Sequence, residues 1–540
     1  MPMSKRPALL PAFEWMVAII LTVAALLLHL TRLFQAGALW RDEAAAVNLA
    51  TQPSFAELWH GLSFEIMPAF PPLVIRLWAT THWGATDLGL RTLGCLVGGG
   101  IVAAVWWNAR CLSQKPPMVS LLLLGLSGLV VRWGDSLRGH GLGLFFLLIC
   151  YGLIWKVLES PGKLRVSLAG AAAVLSLQCS YQNAPMLAAV CGAAMVAALR
   201  RAHWPIARTA GGIGVVAALS LLPYLAVLRR AQEWTMLIKT SVTLPELWRE
   251  LANALSPTRL LVIWTALLVV SLGLSAFFLA APKQLRSDAQ SDLLWFASFS
   301  LLAGIVGFAL YATGAGYLNV WHFLPVLGIA AVSMDVIVDS LGNIPWVRPF
   351  RLLAVVAAAA VLWPPAWSDI HIRPTNVDGV ARMLNTNAEK NDLIVVDPWY
   401  IAVSFQRYYT GSIPWTSMPP MVGVGIHRYD LLKAKMMSEN PAQPILDQMA
   451  RTLKSGNRVW FVGIIPPPPN GNQPPSLKPA PNQGFWNDDA YTLTWSLQEG
   501  FFIRNHATGV EPLNPPDDDL IGSENVSLIK VWGWRTSPNE

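Results

Sequence analysis

Charge is scarce in this chain. Of its 540 residues 13% are Asp, Glu, Lys or Arg against 54% hydrophobic, and mean hydropathy is +0.44. A soluble fold of that length cannot bury so much apolar surface, which excludes a soluble globular protein and leaves a membrane protein. Cysteine is rarer still: the five, Cys95, Cys111, Cys150, Cys179 and Cys191, all fall in or beside apolar segments. They form no disulfide framework and have no metal-ligand spacing, so they read as small core residues. There is no glycine-rich phosphate loop opening a helix, so nothing points to a nucleotide-activated substrate. No His-rich cluster supports a metal, and no cofactor is expected. An internal repeat with paired broken helices, the mark of many transporters, is also missing. The net charge of +7 is scattered in ones and twos between apolar runs, which excludes a nucleic-acid-binding face.

What the chain has in quantity is long apolar runs and 25 tryptophans, whose amphipathic rings favour membrane–water boundaries. Windows of roughly 20 apolar residues fall near residues 14–33, 88–109, 117–134, 140–157, 165–180, 183–199, 208–228, 259–281, 291–312, 320–339 and 351–365. They predict a multi-pass α-helical protein in the lipid bilayer, with about eleven transmembrane helices. Basic residues fall on every second connection: Lys5 and Arg6, Arg110 and Lys115, Lys156 to Arg165, Arg200 to Arg208, Lys283 and Arg286, Arg348 and Arg351. The positive-inside rule makes those connections cytoplasmic. The N-terminus is then inside, the first span is a retained signal anchor, and everything after about residue 366 is extracytoplasmic. The expected organisation is a transmembrane domain over 1–365, with outer loops 35–87 and 229–258, and a soluble outer domain over 366–540.

Just beyond the first span stands Leu39-Trp40-Arg41-Asp42-Glu43-Ala44. Paired carboxylates beside a membrane exit are costly to keep without a use. The bland reading is an acidic cap, with Ala44 to Ala50 a helix and Asp42 its N-cap. Further along the same loop, Phe55 to Leu62 suits a short helix, Pro71-Pro72-Leu73 a break and restart, and Leu73 to Trp83 an interfacial amphipathic stretch. Asp87 and Arg91 are spaced to pair across one turn. The turn after the third span carries Arg132, Asp135, Arg138 and His140, all of which must face protein, water or a ligand. Near the tenth span, His322 opens a helix beside Trp321.

After residue 366 the composition becomes that of a soluble domain. Val377 to Asn385 and Pro441 to Leu453 read as helices, Asp392 to Asp397 and Arg458 to Ile465 as buried strands, and Phe501 to Arg504 and Val526 to Trp534 as closing strands. Pro466 to Gln483 is a proline-rich loop.

The order of these elements resembles the GT-C superfamily. More narrowly it is similar to the bacterial glycosyltransferase family 39-like proteins, relatives of protein O-mannosyltransferases and aminoarabinose transferases. Trp40-Arg41-Asp42-Glu43-Ala44, Pro71-Pro72-Leu73, Arg91 and Arg138-Gly139-His140-Gly141-Leu142 carry the likeness. The family has Tyr where this chain has His140, and often Arg-Tyr where it has His322-Phe323. The resemblance implies transfer of a sugar from a polyprenyl-phosphate donor to an envelope acceptor at the outer face of the inner membrane, with inversion and without a metal. Asp42 is the expected general base, and Glu43 either a second catalytic carboxylate or a partner of Arg41 or Arg91. Donor phosphate and substrate fall to Arg138 first, then Arg41, Arg132 and Arg91, with Asp135, His140 and His322 nearby and Arg229, Arg230 and Lys239 as outsiders. The competing readings are a transporter or flippase of lipid-linked sugars, and a non-catalytic scaffold.

Overall fold

A computed structural model describes residues 9–238, 242–281, 287–340, 347–464, 473–482, 486–513 and 520–535. Among them nine helices are long and apolar enough to cross a membrane: Leu10–Gln35, Asp87–Leu112, Gly139–Glu159, Tyr181–Arg200, Trp204–Ile238, Thr258–Ala280, Asp288–Ala315, Val320–Ser340 and Val347–Ile370. The two remaining expected spans are helical but shorter. Lys163–Cys179 has 17 residues, and the other is Met118–Ser120, a wide π-turn over Leu121–Gly125, and Gly128–Gly134. The break sits where the chain meets the first helix, since a Cβ on Gly125 would lie 2.9 Å from that of Ala25. The Ser127 hydroxyl caps the restart by accepting from Val130 N.

Packing inside the bundle relies on small residues, as expected where lipid removes the hydrophobic drive for helix association. Gly143, Gly152, Ala169, Ala173, Ala193 and Ala197 bring neighbouring helices close. Ile19, Ile20, Val23, Phe34, Val269 and Phe277 stay exposed on the outside of the bundle. The connections gather alternately at two ends. At one end Arg351 joins Glu14, at 2.5 Å, to Asp339, and Lys115 donates to the Asp339 carbonyl. Arg201 there meets Asp292 at 2.6 Å. The opposite end gathers the segments that build the site described below.

That end is covered by an α/β unit. Its strands are β1 (Arg373–Thr375), β2 (Leu393–Asp397), β3 (Trp415–Ser417), β4 (Val459–Gly463), β5 (Gly509–Leu513), β6 (Ile521–Glu524) and β7 (Ser527–Trp532). Five form one sheet in the order β3-β2-β4-β7-β5, with β2 parallel to both β3 and β4, and β7 antiparallel to β4 and β5. β1 pairs with β6 separately. Every residue of β2 and β4 is buried, as strands with both faces covered require. The helices Val377–Asn387 and Gln443–Lys454 match their expected positions closely.

Three expectations need correction. Phe501 to Arg504 is not a strand but the end of the helix Asp488–His506, which buries Tyr491, Trp495, Glu499 and Ile503 at four-residue spacing. A short apolar run, Phe501-Phe502-Ile503, hid that period. Asp42 is not an N-cap: the helix starts at Arg41, and Trp40 holds the cap position without a side-chain bond. Asp87 does not pair with Arg91. The α/β unit brings Arg407 to 2.7 Å and the Tyr408 hydroxyl to 2.6 Å from Asp87, and Arg91 turns inward to Glu43.

The α/β unit shares one apolar core with the outer connections. Leu49, Leu58, Leu62, Phe64 and Trp234 pack together with Val396, Phe405, Leu432 and Met436. This shared core fixes how the unit sits over the bundle.

Candidate active site

Five connections of the bundle and one loop of the α/β unit line a single cavity of about 240 Å³. The first connection contributes Arg41 and Asp42 from the helix Arg41–Ala50, and Glu65 from the end of the helix Phe55–Glu65. Ser54 and Glu57 start that second helix with a reciprocal capping box. Ile66 ends it in the left-handed region at φ 49°. A β-branched residue is strained there, and strain of this kind is often stored beside functional groups.

The Asp42 carboxylate accepts from Arg41 Nε at 3.0 Å. Arg138 reaches in from the turn after the third span, donating through Nη1 to Glu65 at 2.8 Å and to the Asp42 carbonyl at 3.4 Å. Gly139 lets this turn pack closely, since a Cβ there would meet the Cys179 carbonyl and sit 2.9 Å from Pro71 Cγ. Arg41 lies over the Tyr400 ring, 4.8 Å from its centre, which holds the guanidinium at the cavity wall.

His427, from the α/β unit, closes the other side. Its backbone N–H and its Nδ1 both lie 2.9 Å from one Glu65 oxygen, and its Nε2 is 3.7 Å from Asp42 Oδ1. The imidazole therefore stands between two carboxylates, stacked on Tyr429 at 5.8 Å.

Burial pushes both carboxyls upward, yet each ends below the usual carboxylate range. For Asp42 the nearby Arg41, Arg138 and His427 outweigh burial; for Glu65, which lies well below the range, His427 and Arg138 do. Burial works against charge on Arg138 too, and Asp42 and Glu65 reverse it. Both acids are thus ionised at neutral pH, facing two fixed cations. Such an arrangement can accept a proton from a hydroxyl and stabilise an anion within one enclosed space.

Of the residues expected from sequence, Arg41, Asp42, Arg138, His140 and His322 line this cavity. Glu43, Arg91 and Asp135 lie behind it. Glu43 is buried against Arg91 at 3.1 Å, and Arg91 also donates to the carbonyls of Gly37 and Ala38. Asp135 pairs with His29 at 2.8 Å. Arg132 lines a different cavity, Arg230 meets His60, and Lys239 lies outside the described residues. Glu65, His427, Tyr317 and Tyr429 also line the cavity; sequence reasoning did not single them out. The one signal was Glu65 itself, an acid in the last turn of a helix, following Leu62-Ser63-Phe64.

The chain is similar to ArnT. The match is to a crystal structure of ArnT from Cupriavidus metallidurans bound to undecaprenyl phosphate, at 13% identity and a TM-score of 0.46, over 82% of this chain and 92% of that one. No family model matches the chain, and no curated protein does.

Proposed function

We propose that this chain is a glycosyltransferase that moves a sugar from a polyprenyl-phosphate carrier onto a hydroxyl of an envelope acceptor, with inversion at the anomeric carbon. The observation that carries the proposal is one cavity that holds an ionised carboxylate, Asp42, between the guanidinium groups of Arg41 and Arg138. The cavity lies at an end of the bundle rather than midway along its helices, which suits a lipid whose phosphate sits at the membrane boundary. Nothing in this arrangement favours a flippase.

In this reading the acceptor hydroxyl attacks the anomeric carbon as Asp42 takes its proton. The bond to the lipid phosphate breaks, and Arg138 and Arg41 stabilise the departing anion. Among the described residues the hydrogen bonds of Arg138 run through Nη1, which leaves its other two guanidinium nitrogens to hold phosphate oxygens as a planar fork. A carboxylate held below its usual range is a weak resting base. The hydroxyl acidifies as its bond to carbon forms, so the proton transfers late. Glu65 and His427 keep Arg138 and Asp42 in position. The basic connections at the opposite end of the bundle support a reading in which that end faces the cytoplasm and the cavity and α/β unit face the periplasm.

The test compares cells that make the chain, its Asp42→Asn variant, or neither, by mass spectrometry of lipid-linked sugars and surface glycans. Wild type shifts sugar from the lipid pool to an acceptor. D42N loses the shift by roughly 10²- to 10⁴-fold while the chain is still made and folded, with a melting temperature lowered by the lost pairing to Arg41. Normal transfer by D42N would remove the base assignment.

A further inference from the structure

A second cavity, of about 510 Å³, opens at the same end of the bundle, beyond a tryptophan partition. Trp133 lines it, Trp321 lines the first cavity, and the two rings lie 4.5 Å apart. Its volume falls within the roughly 300–1,000 Å³ of ordinary small-molecule sites.

The walls mix polar side chains with the apolar Leu129, Ala254, Pro257, Val320 and Pro365, and the polar ones are unspent. Arg132 and Asp369 both line the cavity, near enough to feel each other's charge, yet among the described residues they form no ion pair and neither side chain makes a hydrogen bond. Oppositely charged groups held apart in one cavity leave room for something between them. The hydroxyls of Ser256, Ser368 and Ser523 and the amide of Asn253 complete the polar part of the lining, likewise without a protein partner among the described residues. Two glycines make space for the charged pair. A Cβ on Gly522 would fall 3.0 Å from Arg132 Nη2, and one on Gly128 would lie 2.7 Å from Asp369 Cβ.

We infer that this second cavity is a carbohydrate-binding site, which takes a pyranose-sized polyhydroxylated group between Arg132 and Asp369 beside the Trp133 ring. Sugar hydroxyls both donate and accept. They need the mixture present here: a pure donor, a pure acceptor, and hydroxyl and amide groups that serve as either. A free phosphate meets the Asp369 carboxylate, a cation meets the Arg132 guanidinium, and an acyl chain would strand all the polar groups. A sugar satisfies both charges, and its C–H face suits a tryptophan. Binding here stands independently of transfer at Asp42.

The experiment uses the full chain purified in lauryldimethylamine oxide, a detergent without a sugar head. Saturation-transfer NMR probes methyl α-mannoside, methyl α-glucoside, N-acetylglucosamine and inorganic phosphate. At least one sugar gives a signal that weakens tenfold or more in both Arg132→Gln and Asp369→Asn and persists in Asp42→Asn, while phosphate neither binds nor competes. Melting temperatures identify a variant that fails to fold, in which case Ser368→Ala and Asn253→Ala replace it. Absence of any sugar signal, a signal indifferent to these variants, loss in D42N instead, or competition by phosphate would each overturn the assignment.

Discussion

Replacing Glu65 by glutamine tests the electrostatic frame of the site without changing its shape. The carboxylate has no exposed surface and takes three hydrogen bonds: Arg138 Nη1 on one oxygen, and the backbone N–H and Nδ1 of His427 on the other. Glutamine keeps one acceptor. If its oxygen faces His427, its NH2 faces Arg138, donor against donor; turned over, it faces two donors of His427. At least one charge-assisted bond worth about 1.5–3 kcal/mol is lost, and a buried guanidinium is left short of a counter-charge. Removing one partner of a buried pair typically costs about 3–5 kcal/mol, so a loss of about 3 kcal/mol is expected. The sign of the pH dependence follows from the depressed Glu65 carboxyl. Its contribution is complete above the unfolded value of 4.5 and fades as pH falls below it. Thermal unfolding followed by tryptophan fluorescence should show E65Q melting well below wild type at pH 7, with the gap closing in acid. Equal melting at pH 7, or a gap that widens in acid, would refute this account.

Other outcomes follow from features away from the cavity. Arg91→Ala strands the buried Glu43 and frees the carbonyls of Gly37 and Ala38; it should cost about 3–5 kcal/mol, read as a lowered melting temperature. Gly37→Ala forces a side chain into a φ of 62°, with Arg373 Nε 2.8 Å from the new Cβ. That backbone term alone is about 1–2 kcal/mol, visible in the same melts. In the α/β unit, burial raises both carboxyls of the Asp397–Glu499 pair. Stability from that pair is present at low pH and is lost as pH rises through their raised values, so Glu499→Gln should raise the melting temperature more at pH 8 than at pH 5.

Much of the membrane part could be read from periodicity and charge, because long apolar runs and basic connections are local signals. Asp42 and Arg138 stood out for the same reason: charge next to a span is conspicuous. The partners that set their behaviour were not legible. His427 reaches Glu65 across 362 residues of chain, and no spacing rule links a loop of an α/β unit to the end of an interfacial helix. The pairing of Asp87 with Arg91 looked sound by helical spacing, and it failed because tertiary packing brought Arg407 closer. By sequence Glu43 is either a second carboxylate of the site or a partner of Arg41 or Arg91. One step around the helix turns it away from the cavity and into the interior, which only the assembled bundle decides.

Because His427 seals a wall begun by Asp42 and Glu65, the cavity is unfinished until the last third of the chain has been synthesised and folded over the bundle. A nascent or truncated membrane part would present its two acids and Arg138 to water, where solvent screens them from one another. Such a fragment would keep its helices and lose the field that gives those groups their character. Removing the outer unit would therefore dismantle the site rather than expose it.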